Sequence, residues 1–111
     1  MLTKFGATLA SALFVFAAAS AHAQNVDAGR VIAEQWCSSC HLVDHQQNRV
    51  PNDAIPSFRA VANMKSTTMI SLSVFLQTPH QPMPNFMLSR REIADVSAYI
   101  LSLRTADSEK H

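Results

Sequence analysis

The segment Cys37-Ser38-Ser39-Cys40-His41 constrains this chain more than any other stretch. Two thiols three positions apart, with an imidazole directly after the second, are what covalent attachment of a c-type haem needs. One helical turn spaces the cysteines so that both can add to the porphyrin vinyl groups as thioethers. His41 then lies under the ring plane, where an imidazole nitrogen can bind iron. The pair also admits a structural disulfide, half a zinc site or a thioredoxin-like redox couple. Zinc would need two further soft ligands, and the chain has only these two cysteines. A thioredoxin-like couple would need a surrounding βαβ pattern, which is absent. An absorption spectrum of the purified protein separates the haem reading from the disulfide.

The N-terminus points to export. Lys4 supplies a positive start, Phe5 to Ala19 an apolar run, and Ala21-His22-Ala23 a small-residue cleavage site. The apolar run is shorter than the about 20 residues a spanning helix needs. Residues 1–23 are therefore expected to be a signal peptide, and residues 24–111 one domain that starts at Gln24. Export implies the bacterial periplasm and no stable membrane insertion after cleavage. It also suits the cysteines, because idle thiols in an oxidising compartment would otherwise pair with each other.

A domain of this size buries little apolar surface by itself and usually needs a metal, disulfides or a cofactor. A buried porphyrin would supply that surface at the centre. Lys4 leaves with the leader, so eight basic side chains face eight acidic ones in residues 24–111. No basic stripe of the kind a phosphate backbone demands is present, which excludes nucleic acid as a partner.

Helical periodicity accounts for most of the remaining chain, and the fold class is all-α. A first helix is expected from about Asp27 to Cys40, with Asn25 as its N-cap. A loop broken by Pro51 and Pro56 follows, then one or two helical turns over Ser57 to Asn63. Ser66 is expected to cap a helix reaching Gln77, with Met69, Leu72, Phe75 and Leu76 on one face, stopped by Pro79. Ser89-Arg90-Arg91-Glu92 is a capping box opening a last helix whose Ile93, Val96, Ile100 and Leu103 form one stripe. The charged tail from Thr105 lacks periodicity and is expected to fray.

What fills the second axial position on the iron decides the chemistry. The candidates are Met64, Met69, Met83, Met87 and His80. Met69 falls on an apolar helix face, where a methionine usually fills core space. Met83 stands between Pro82 and Pro84, in a loop that Pro79 also stiffens. A thioether is a weak, neutral ligand, and prolines that fix φ reduce the entropy lost when the loop orders around it. Met83 is therefore favoured over His80. The alternative is a rigid turn between two helices.

With these residues in view, the chain resembles a small monohaem class I cytochrome c over essentially all of residues 24–111. Cys37-Ser38-Ser39-Cys40-His41 at the end of the first helix matches the family's attachment motif. Ile55-Pro56-Ser57-Phe58 resembles the family's proline segment, which implies that the Pro56 carbonyl accepts a hydrogen bond from His41 and orients its ring. Pro82-Met83-Pro84 before a capped last helix resembles the distal-ligand loop. Gly29 and Tyr99 fall where family members cross the first and last helices. Ala33 stands where many members carry an aromatic residue, so Trp36 is expected to do that packing.

The resemblance implies about four helices around one haem c, attached through Cys37 and Cys40 and ligated by His41 and Met83. It implies a one-electron carrier with transient redox partner proteins, not an enzyme. A haem-bearing subunit of a periplasmic oxidoreductase complex would use the same residues. An open distal site would instead make a gas-binding protein. Arg49 and Arg59 are candidates to face the haem propionates, and Phe86 and Met87 to touch partners beside the ligand loop.

Overall fold

A computed structural model describes residues 23–47, 53–79 and 81–105. Its elements are α1 (Val26–Ile32), a π-helical turn (Ala33–Cys37), α2 (Phe58–Asn63), α3 (Met69–Gln77) and α4 (Arg90–Ser102). No strand occurs among the described residues. The leader, His80, Arg49 and the last six residues lie outside them.

Each helix starts where a side-chain oxygen can accept from an otherwise unpaired N–H. Asn25 accepts from Ala28 N–H, and Ser57 from Ala60 N–H. Ser89 accepts from Glu92 N–H at 3.2 Å, and Glu92 returns the favour to Ser89 N–H at 2.7 Å. The third helix departs from expectation. Its cap is Thr68 rather than Ser66, because Ser71 reaches back to Thr68 N–H at 2.8 Å and closes a capping box there. Ser66 is left outside the helix, its carbonyl accepting from the Ser71 hydroxyl at 2.9 Å. Leu72 of α3 is buried and Leu76 packs against the core, whereas Phe75 turns outward, 51% exposed.

The α1–α4 crossing organises the molecule. Gly29 is buried in it, and a Cβ there would overlap the Asp95 carbonyl and stand 2.9 Å from Tyr99 Cβ. The absence of a side chain is what allows the two backbones to approach. Beside the crossing, the buried Asp95 carboxylate accepts from Asn25 N–H at 2.8 Å, and Arg91 lies 3.8 Å away. The core then collects Ala33, Cys37, Val43, Phe58, Ala62, Leu72, Val96, Tyr99 and Ile100.

Two features were not legible in the residue pattern. The first helix does not run uniformly to Cys40, since Ser38 N–H bonds to Ala33 O at 3.1 Å across a π turn. Gly29, Ala33 and Cys37, all buried, recur every four residues. A four-residue step overshoots a 3.6-residue turn, so such a row drifts around an α-helix. The wider π turn winds less per residue and takes the drift back. The second feature is the anchoring of the residues that directly follow α4. Arg104 donates to Ala62 O at 2.8 Å and Thr67 O at 2.6 Å, and Thr105 N–H donates to Asn63 at 3.0 Å. Thr105 is therefore tied to the end of α2 rather than frayed.

Candidate functional site

The two thiols follow directly from the π turn. Cys37 ends it, and the chain then makes one further turn, in which Cys40 N–H and His41 N–H both bond to Cys37 O at 3.2 and 2.9 Å. Both cysteines are unpaired. Cys37 is buried, and loss of hydration pushes its thiol pKa up to about 11, whereas Cys40 is exposed. The disulfide alternative is not the arrangement adopted. Among the described residues no three His, Cys, Asp or Glu side chains converge.

His41 is held from several sides. Its Nδ1–H donates to the Pro56 carbonyl at 2.7 Å, as the resemblance implied. That bond leaves Nε2 as the ring nitrogen open to a metal and makes it more basic. The ring of Phe58 lies 5.4 Å from the imidazole, and Tyr99 lies 6.4 Å beyond Phe58. Phe58 N–H also bonds to Leu42 O at 2.9 Å, which fixes the start of α2 beside the attachment turn.

Two further side chains brace this turn; Gln47 carried no sequence signal, and Tyr99 was marked only for the helix crossing. Gln47 accepts from Val43 N–H at 3.1 Å while its amide donates to Ser38 O at 3.1 Å and His41 O at 3.4 Å. From α4, the Tyr99 hydroxyl donates to the buried Val43 carbonyl at 2.7 Å. Burial first, and then the carboxylates of Asp44 and Glu34, raise the Tyr99 pKa, with Arg30 opposing. A recess of about 330 Å³ opens beside the turn, lined by the charged Arg30, Glu34 and Asp44 together with Ser38, Val43, Gln46 and Gln47. Its charged lining does not suit a porphyrin.

The candidate distal ligands separate by exposure. Met83 and Met69 are half-buried, Met64 is 51% exposed and Met87 83%. Met69 sits at the start of α3, and Met83 in the connection from α3 to α4. Met87 adopts φ 55°, its N–H held by Asn85 Oδ1 at 3.0 Å, and its side chain stands in solvent. Arg59 is exposed, and Arg49 lies outside the described residues. Trp36 does not fill the crossing in place of an aromatic residue at position 33. Ala33 is fully buried there, while Trp36 is 43% exposed and meets Phe86 with ring centroids 5.6 Å apart.

The residues fit a covalently bound haem. Two free thiols and an imidazole with one open nitrogen lie on a single turn, and Trp36, directly before it, and Phe86, in contact with Trp36, remain partly uncovered, apolar area that a porphyrin would bury.

The sequence model for cytochrome c matches residues 26–104, from the first residue of α1 to the Arg104 anchor. The chain belongs to the cytochrome c family, whose members carry electrons on a haem. It is similar to the cytochrome c-552 of Bradyrhizobium diazoefficiens, 44% identical over 85 residues, or 77% of this chain and 81% of that protein. No solved structure matches. Among the described residues no helix is long and apolar enough to cross a membrane.

Proposed function

We propose that this chain is an exported, periplasmic one-electron carrier with a single haem c bound through Cys37 and Cys40. Its iron is ligated by His41 and Met83. The observation that carries the reading is the His41–Pro56 hydrogen bond of 2.7 Å, one turn beyond two unpaired thiols. The bound haem supplies an iron that cycles between ferric and ferrous states. The chain's part is to present two thiols and one imidazole on a single turn and to keep that imidazole from rotating. It also offers a neutral thioether from a proline-stiffened loop, a ligand type that favours the ferrous state. Residues 1–23 act as the signal peptide, and partners are redox proteins that dock transiently.

Met83→Ala tests the ligand set. The variant is expected to lose the near-infrared band that marks sulfur ligation of ferric iron, and its reduction potential should fall. If the band survives in Met83→Ala and vanishes instead in Met64→Ala or Met87→Ala, the ligand is another methionine. Intact mass of the exported protein checks the leader, since it should begin at Gln24.

A further inference from the structure

The contact between Trp36 and Phe86 links the residue before the attachment turn to the segment that leads from the Met83 loop into α4. Trp36 directly precedes Cys37, so the attachment turn fixes its position. Phe86 lies three residues after Met83, at the exit of the ligand loop. Their ring centroids are 5.6 Å apart and the planes tilt by 42°, a favourable aromatic geometry. Both rings remain partly in solvent, at 43% and 37% exposure, so they are not core residues that happen to touch. The neighbours of Phe86 show that the loop exit is held in place. Asn85 accepts from Met87 N–H at 3.0 Å, Met87 takes the left-handed φ of 55° that is rare for a side chain of its size, and Leu88 packs against the core. Three successive residues thus point to three different places, and Phe86 is the one directed at the attachment helix.

We propose that Trp36 and Phe86 form an aromatic latch that holds the Met83 loop closed against the attachment turn. The two are positioning residues for the distal thioether, and the proposal rests on the reading of Met83 as ligand. A weak ligand on a loop stays bound in proportion to how often the loop is already closed. The latch raises that fraction, and the free energy of one aromatic pair corresponds to about two- to tenfold in the closing equilibrium.

The test is displacement of the thioether by free imidazole in the ferric holoprotein, read from the loss of the near-infrared band during titration. Trp36→Ala and Phe86→Ala are each expected to bind imidazole about two- to tenfold more tightly than the wild type. Trp36→Phe, which keeps an aromatic ring, should restore most of the wild-type resistance. The double variant should gain little over either single one, because both remove the same contact. Amide hydrogen exchange over residues 85–88 should speed up in the single variants. Unchanged imidazole affinity in both single variants overturns the latch, even if their unfolding midpoints drop, because that result describes packing alone. Additive effects in the double variant overturn it as well. A wild-type protein with intact covalent haem but no near-infrared band overturns the Met83 reading and the latch with it. A band that is present while imidazole affinity stays flat overturns the latch only.

Discussion

Gly29→Ala sets two known effects against each other, and the structure decides the sign. Alanine is the better helix former by about 1 kcal/mol, so an exposed Gly29 would predict stabilisation. Gly29 is buried, however, and the new methyl would overlap the backbone carbonyl of Asp95 and lie 2.9 Å from Tyr99 Cβ. No rotamer change moves a carbonyl of a paired helix, so α1 and α4 must separate. Overpacking of this kind costs about 1–3 kcal/mol. Separation also stretches the Asn25 N–H bond to the buried Asp95 carboxylate, 2.8 Å in the native packing, and bonds to charged groups contribute about 1.5–3 kcal/mol. After subtraction of the propensity gain, the expected net loss is about 1.5–5 kcal/mol. Urea unfolding of the haem-bearing protein, followed by far-ultraviolet circular dichroism, should show the midpoint fall by about 1–2 M with little change in slope. Val31→Ala, on the exposed side of the same helix, should leave it nearly unmoved. A Gly29→Ala midpoint at or above the wild-type value would refute the close-approach argument and mark α1 as a loosely docked turn.

Other parts of the fold make separate predictions. Arg104→Met keeps the apolar stem but strips the donors from the Ala62 and Thr67 carbonyls, and it should cost about 2 kcal/mol in urea unfolding. Loss of less than a few tenths would mean that solvent replaces those bonds freely. Ser97 is fully buried, and its hydroxyl has no hydrogen-bond partner among the described residues. Ser97→Ala should therefore be neutral or stabilising by about 1 kcal/mol, against the usual cost of a core substitution. Tyr99→Phe leaves the Val43 carbonyl unpaired and should cost about 1–2 kcal/mol at neutral pH. The Tyr99 pKa is raised in the folded state, so the unfolded chain releases this proton first. Wild-type stability from this group is full below pH of about 10 and declines as pH rises past it. Tyr99→Phe should show a shallower alkaline decline, and equal slopes above that pH would contradict the burial of the hydroxyl.

Local chemistry made much of this molecule legible before any fold was seen. The attachment pentapeptide needs only neighbouring residues to define its role, because one turn of helix sets the thiol spacing. The caps at Asn25 and Ser89 are equally local, since each satisfies a backbone donor three residues away. The Gly29–Tyr99 crossing and the Pro56 partner of His41 were legible only through resemblance to a family, as both join distant segments. Where two local solutions competed, as with Ser66 and Thr68, the reciprocal bond from Ser71 chose between them, and a pattern of hydroxyl residues could not. Tertiary structure alone decided the rest. Gln47 and Arg104 are ordinary polar residues in sequence, and they acquire roles because carbonyls of other segments come within reach. Trp36 has every attribute of a core residue, yet Ala33 already fills the crossing. The π turn sends the chain on to the attachment site, and the tryptophan is left to meet Phe86 at the surface. Pairings of this kind depend on which surfaces arrive together, which spacing along the chain does not encode.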